Sequence, residues 1–432
     1  MTLTNSIPLP ALSGFTLRNG AWYAEDIPLS DLAQQYGTPL YIYSRRALTE
    51  AYQAYDHACV DETGRRRARV HFAMKANSNL AVLDCFKRLG AGFDLVSGGE
   101  LARALAIGAD PASLVFAGVG KSATEITAAL RAGVKCINVE SIAELHQINR
   151  IATELGLRAP ISLRVNPDVD AQTHPYISTG LKDNKFGIAY HEVLKTYREA
   201  ALLPQIDVVG IDCHIGSQIT SSAPYLDALD KVLDLVAQLK KEGIVIHHLD
   251  LGGGLGISYG EENPPDITAF TNTLLNRVAE RGFAHLDVVL EPGRSLVGNA
   301  GILLTRVEYL KPGAEKNFCI VDAAMTELMR PALYEAYHGI VPVVQKATAP
   351  QMYDVVGPVC ESGDWLGRDR ALAVHEGDYL AILSAGAYGF VMSSNYNTRP
   401  RPAEIMVDGS TAYVVRERET VSSLFAGEHT LP

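Results

Sequence analysis

From residue 69 onward, short apolar runs alternate with longer stretches whose apolar residues recur at helical spacing. The strand candidates are 69–74, 92–96, 113–117, 135–139, 161–165, 208–213, 246–251 and 286–290. Most are continuous rather than strictly alternating, the pattern of parallel strands covered on both faces. Amphipathic stretches at 78–89, 99–107, 124–132, 142–155 and 226–240 lie between them. Eight strands alternating with helices predict a (β/α)8 barrel, a TIM barrel, whose functional residues gather at the C-terminal strand ends. Alternation alone also suits a doubly wound open sheet. Polar residues following the first, second, fifth, sixth, seventh and eighth strands favour the barrel, because an open sheet concentrates its ligands at one switch point.

After residue 301 the rhythm changes. Short strand candidates at 302–309, 318–321, 339–344, 352–356, 379–383 and 412–415 are separated by Gly, Pro and Asp, with few helical stretches. The predicted organisation is an N-terminal segment (1–43), a barrel (44–300) and a C-terminal β-rich domain of sandwich or barrel-like form (301–432), with the N-terminal segment pairing with the last. The fold class is therefore α/β plus β.

Composition narrows the function classes. With 49 acidic against 38 basic residues the formal charge is -11, so attraction to nucleic acid or an anionic membrane is not expected. Residues 1–15 lack a basic and then apolar leader, and no run approaches the ~20 apolar residues that span a bilayer, so a cytoplasmic enzyme is expected. Six cysteines without a C-x-x-C pair indicate neither a disulfide framework nor a structural zinc site.

The chemistry begins at Lys75, which closes the run Val70-His71-Phe72-Ala73-Met74. Taken alone, a lysine there reads as a surface residue opening a loop. At a barrel strand end with apolar neighbours, desolvation would instead leave its amine neutral and nucleophilic. Leu251-Gly252-Gly253-Gly254-Leu255-Gly256 follows a strand, where side-chain-free residues let backbone N–H groups converge on a phosphate. It completes neither G-x-G-x-x-G nor a P-loop, so a different phosphate is implied.

Glu291-Pro292-Gly293-Arg294 places a carboxylate at the barrel mouth, a costly position unless it meets a cation such as a protonated ring nitrogen. His214-Ile215-Gly216-Ser217-Gln218 adds a flat ring and a hydroxyl. An aldehyde for Lys75, a phosphate for the glycines, a basic ring nitrogen for Glu291 and a ring face for His214 together describe pyridoxal 5′-phosphate. No competing metal constellation is evident in the sequence.

These motifs resemble the barrel-type (fold type III, alanine racemase-like) pyridoxal phosphate-dependent decarboxylases. The likeness continues through Met329-Arg330-Pro331-Ala332-Leu333-Tyr334, Cys360-Glu361-Ser362-Gly363-Asp364 and Gly386-Ala387-Tyr388-Gly389, spanning about 15–415. The resemblance implies that Lys75 joins the cofactor's aldehyde, His214 stacks on its ring and Glu291 binds its nitrogen. Ser217, Gly253, Gly254, Gly293, Arg294 and Tyr388 would surround the phosphate or its neighbourhood. Asp94 and Arg164 would support the lysine and the ring, or else form a buried ion pair bracing the barrel.

The related racemases place an arginine against the ring nitrogen, so Glu291 favours decarboxylation. Cys360 is implied as the proton donor, with Lys75 or water as alternatives; without Glu361 to Asp364 beside it, a lone cysteine reads as a small buried filler. Glu361 would meet a distal ammonium, and Arg294, Arg330, Tyr334 and Tyr388 a distal carboxylate. The implied reaction is decarboxylation of meso-2,6-diaminopimelate to L-lysine and CO2, the last step of lysine biosynthesis. Carboxynorspermidine decarboxylation and ornithine or arginine decarboxylation are the alternatives. The resemblance further implies a homodimer in which Cys360 and Glu361 act across the interface.

Overall fold

The structure, a computed structural model, describes residues 8–170, 179–180 and 184–432; the first seven residues of the N-terminal segment lie outside them. The chain divides into two compact units. One comprises Ala51–Gly256 and Asn263–Ser295, the other Met1–Glu50, Ile257–Glu262 and Leu296–Pro432.

The first unit is a closed barrel of eight parallel strands: Ala68–Ala73, Gly92–Leu95, Leu114–Phe116, Cys136–Val139, Ala159–Asn166, Ile206–Asp212, His248–Asp250 and Asp287–Leu290. Closure comes from the pairing of the eighth strand with the first, in the register Val288 to Ala68, Val289 to Arg69 and Leu290 to Val70. The open-sheet alternative is thereby excluded. Phe72, Phe93, Phe116, Ile137, Ile161 and Leu163 have no exposed surface, which explains the continuous apolar runs.

The intervening helices start where the sequence supplies caps. The Ser97 hydroxyl accepts from the Glu100 amide at 3.2 Å and Ser141 from the Glu144 amide at 3.2 Å. Ser122 and Glu125 form a reciprocal capping box at the start of Ala123–Ala132. Each such cap contributes ~1 kcal/mol and sets where a strand-to-helix loop ends. Helix Ile142–Leu155 has the bounds that periodicity predicts, and Val193–Leu202 and Ile267–Glu280 are added to the set. Where the eight strands differ from the sequence reading, most lose an end residue to the flanking loops; the first ends at Ala73, one residue early.

The second unit is β-rich. Its main sheet runs in the order Trp365–Leu372, Gln351–Val356, Phe318–Val321, Gly301–Lys311, Leu40–Ser44, Ala403–Asp408 and Thr411–Arg416. Leu40–Ser44 pairs antiparallel with Gly301–Lys311 and parallel with Ala403–Asp408. A core of Phe15, Leu29, Leu32, Ile42, Ile302, Leu304 and Ile405 lies under these strands. Trp365–Leu372 and Ala403–Asp408 are strands that the apolar pattern does not mark. The first carries Arg368, Asp369 and Arg370 in succession, which interrupts its apolar run.

Candidate active site

In the barrel unit, the predicted residues occupy consecutive C-terminal strand ends. Lys75 lies in the single turn Met74–Ala76 that follows the first strand. Its Nζ is 3.1 Å from Asp94 Oδ2 in the second strand. The Ala73 amide donates to Pro292 O at 3.2 Å, which ties this turn to the loop carrying Glu291. One expectation is corrected here. The Lys75 side chain is 37% exposed and ion-paired, so an acid partner surrounds the amine instead of a desolvating apolar pocket.

The alternative of an Asp94–Arg164 pair is also replaced. Asp94 pairs with Lys75, while Arg164 Nη1 meets Glu140 Oε1 at 2.8 Å and its Nε lies 4.0 Å from Asp212. The Arg164 guanidinium also covers the Phe186 ring at 4.8 Å. Glu140 holds the Gly187 amide with its other oxygen at 2.8 Å.

After the sixth strand, His214 Nδ1 accepts from the Gly253 amide at 3.3 Å. Burial, then Lys75 and then Arg164 push the ring's pKa well below its ordinary value, so it is a neutral, flat face. Gly253 is a close-approach position: a Cβ there would lie 1.9 Å from Glu291 O, and at Gly254 2.2 Å from Gly216 O. The loops after the sixth, seventh and eighth strands are therefore drawn together only because these residues lack side chains. Gly293 faces Ala73 and Ala76 in the same way, at 3.2 and 3.1 Å. Arg294 is buried, and its Nη2 donates to the Ser217 hydroxyl at 3.0 Å.

Glu291 begins the loop after the eighth strand and is buried. Its neighbours Asp250 and Asp212 end the seventh and sixth strands, and oxygens of all three carboxyls lie within 4.8 Å of one another. Among the described residues, no N–H or O–H donor reaches Glu291 Oε1, Asp250 Oδ2 or Asp212 Oδ1, and Glu291 and Asp250 hydrogen-bond to each other only by sharing an acid proton. Burial, followed by Asp250, Asp94 and Asp212, holds the Glu291 pKa well above the carboxylate range. Burial raises Asp250 to about 6. Crowded buried acids of this kind are relieved by a cation.

Asp212, Asp250 and Glu140 were missed in the sequence. Asp212 and Asp250 sit inside apolar strand runs, and an acid so placed is a readable signal of a barrel-mouth site.

In the β-rich unit, Arg330 is buried at the start of Arg330–Tyr334, and Tyr334 is half-buried. Arg330 Nη1 is 2.8 Å from His338 Nε2, and its Cζ lies 4.4 Å from the Tyr259 ring centre. The loop holding Cys360 and Glu361 is pinned by buried Asp364, whose carboxylate accepts from the Met325 and Val359 amides at 2.6 and 2.7 Å. Cys360 is exposed, which rules out the buried-filler reading, and its amide donates to Asn397 Oδ1 at 3.2 Å. The Tyr396 hydroxyl donates to the Glu361 carboxylate, which raises the tyrosine's pKa. Tyr388 is half-buried, with φ of 53°.

The barrel residues fit pyridoxal 5′-phosphate on features of their own. Glu291 Oε1, crowded by acids and reached by no donor among the described residues, suits a protonated ring nitrogen, the Lys75 amine an aldehyde, and the glycine-lined loops with Ser217 and Arg294 a phosphate.

Comparison with known proteins agrees. Residues 45–298 match the pyridoxal binding domain of the pyridoxal-dependent decarboxylases, and the chain belongs to that family. Its relatives narrow the position further. Diaminopimelate decarboxylase from Vibrio cholerae is 55% identical over 96% of this chain and 98% of its own length. The enzyme of the same name from Pseudomonas aeruginosa is 56% identical over 97% and 99%. The crystal structure of diaminopimelate decarboxylase from M. jannaschii in co-complex with L-lysine superimposes with a TM-score of 0.93 at 39% identity, covering 97% of this chain and 98% of that one. That from Helicobacter pylori, complexed with L-lysine, has a TM-score of 0.87 at 40% identity, covering 92% and 98%. No helix among the described residues is long and apolar enough to cross a membrane.

Proposed function

We propose that this protein decarboxylates meso-2,6-diaminopimelate to L-lysine and CO2 with pyridoxal 5′-phosphate, as the last step of lysine biosynthesis in the cytoplasm. The observation that carries the reading is Glu291 Oε1, buried among acids and reached by no N–H or O–H donor of the described residues, on a loop tied to the Lys75 turn. When bound, the cofactor supplies an aldehyde for an amine and a cationic ring able to accept the electron pair left by a departing carboxyl group.

The protein's own residues do the rest. Lys75 would hold the cofactor through its aldehyde, and Asp94 orients that lysine. Glu291 keeps a proton on the ring nitrogen; Asp250 and Asp212 make its site more negative. His214 presents its neutral face to the ring, and Arg164 is held beside the acid cluster by Glu140. Ser217, Gly253, Gly254, Gly293, Arg294 and Tyr388 hold the phosphate and its surroundings.

In the reaction a C–C bond breaks, CO2 departs, and the same carbon takes a proton. Cys360 Sγ supplies that proton, a general-acid contribution of ~10²–10⁴-fold. Glu361 receives the substrate's distal ammonium. Arg330, Arg294, Tyr334 and Tyr388 receive its distal carboxylate, a planar group that an arginine matches with paired N–H donors.

The family resemblance further supports a homodimer in which Cys360 and Glu361 serve the partner's barrel. Mixing inactive Lys75→Ala and Cys360→Ala proteins would then restore activity. CO2 release from meso-diaminopimelate, ornithine, arginine, L-lysine and carboxynorspermidine tests the assignment. Release from diaminopimelate alone is expected, and a preference for any of the others rejects it.

A further inference from the structure

The Arg330 guanidinium is oriented by a side chain to which the reaction so far gives no part. His338 has no exposed surface, and its two ring nitrogens face opposite kinds of group. Nδ1 lies 2.8 Å from Leu383 O, and Nε2 lies 2.8 Å from Arg330 Nη1. A carbonyl only accepts, so Nδ1 carries the hydrogen; a guanidinium only donates, so Nε2 accepts with its lone pair. The arrangement therefore fixes one neutral tautomer. A second proton on the ring would set N–H against N–H.

Leu383 is itself anchored, its amide donating to Gly339 O at 2.8 Å. The imidazole is consequently a rigid spacer between the sheet and the arginine. Tyr259 supplies a further constraint. Its ring lies 4.4 Å from the Arg330 Cζ and meets the His338 ring edge-on at 5.1 Å and 76°. A guanidinium with one flat face covered and one edge nitrogen bound has its plane and its rotation set. An arginine grips a carboxylate through coplanar N–H groups, so fixing plane and rotation decides where that grip is offered.

We propose that His338 is a positioning residue for substrate specificity, holding Arg330 so that it receives the distal carboxylate of the substrate. The proposal rests on the reading of Arg330 given above. It assigns to His338 no contact with substrate and no proton transfer. The expected signature is selective: ligands that carry the distal carboxylate weaken when His338 is altered, and ligands that lack it do not.

L-lysine and pentane-1,5-diamine differ by that carboxylate alone, and their dissociation constants can be measured on the cofactor-loaded protein. His338→Asn keeps a donor facing Leu383 O but offers no acceptor at the Nε2 position; His338→Gln extends an acceptor towards it. His338→Asn is expected to reduce the preference for L-lysine by about tenfold, the scale of one lost hydrogen bond to a charged group, with diamine binding and the cofactor's visible absorbance unchanged. His338→Gln should retain most of the preference. An unchanged preference in His338→Asn, or equal weakening of both ligands, overturns the proposal.

Should His338→Asn not fold, the ¹⁵N signals of the wild-type histidine rings decide, the His338 signals being those lost in His338→Gln. The Nδ1–H tautomer is expected at neutral pH; an Nε2–H or doubly protonated ring refutes the arrangement. Failure here is separable from failure of the proposed function. A wild type that releases no CO2 from meso-diaminopimelate rejects the function, whereas an active wild type with an unaltered His338→Asn preference rejects only the role of His338.

Discussion

Lys75 Nζ lies 3.1 Å from Oδ2 of Asp94, a carboxylate with no exposed side-chain surface, so the amine that ends the first barrel strand is aimed by the second. The strand register sets this up: Ala73 stands opposite Asp94, and Lys75 follows two residues later in a single tight turn. Because the lysine end of the pair is partly exposed, solvent screens it, and the pair contributes roughly 1 kcal/mol to stability. Asp94→Asn should lower the melting temperature little while weakening cofactor retention about tenfold, the scale of one lost charged hydrogen bond, as read by dialysis and absorbance. Full retention would show that Asp94 does not aim the amine.

The carboxyl cluster gives a pH-dependent prediction for the cofactor-free protein. The Asp250 carboxyl is raised to about 6 in the fold, chiefly by burial, so between its ordinary value and 6 the folded chain holds a proton that the unfolded chain releases. Its stabilising contribution is full in acid and is lost as pH rises through 6. Asp250→Asn should therefore be more stable than wild type at pH 7.5 by roughly 2–3 kcal/mol in urea denaturation, with the difference closing near pH 4. A variant less stable than wild type at pH 7.5 would contradict the crowding of acids at Glu291.

The opposite end of the barrel responds to acid with the other sign. His71 and His248 are buried, and burial followed by Lys135 lowers their pKa values to about 3 and about 4. Gly92 and Gly210 on adjoining strands make room for the two rings, since a Cβ there would come within 2.6 and 2.2 Å of them. The unfolded chain protonates these histidines first. Their contribution is complete above the ordinary histidine value and is lost as pH falls below it, at about 1.4 kcal/mol per pH unit for each ring. Denaturation midpoints at pH 7.5 and 5 should show that slope, reduced by about half in His248→Gln. An unreduced slope would locate the acid sensitivity elsewhere.

The close approach at Gly253 is tested by the smallest side chain. Gly253→Ala places a Cβ 1.9 Å from Glu291 O, inside any van der Waals contact, so the two loops must separate. A stability loss of about 1–3 kcal/mol is expected, as for other overpacked sites, together with weakened cofactor binding. Normal binding in a stable variant would remove the glycine loop from the phosphate site.

Much of this was legible in the chain. Lys75, His214, Gly253 and Glu291 were readable because each follows an apolar run, and barrel topology turns that sequence position into a place at one mouth. The acid character of the site was not. Asp212 and Asp250 end the sixth and seventh strands with apolar residues on either side in sequence, and only the parallel register of the sixth, seventh and eighth strands brings them beside Glu291. The true environment of Lys75 was hidden for the same reason: its neighbours in sequence are apolar, but its neighbour in space is Asp94. His338 is invisible to pattern reading, because its role depends on a carbonyl 45 residues away.

The central claim is that one lysine carries the cofactor and the chemistry together. The most direct measurement compares wild type and Lys75→Ala, each incubated with pyridoxal 5′-phosphate, for visible absorbance and for CO2 release from meso-diaminopimelate. The account predicts that the wild type is yellow and active and that the variant, though folded, loses both the absorbance and the turnover. A Lys75→Ala protein that still releases CO2 at the wild-type rate would contradict it.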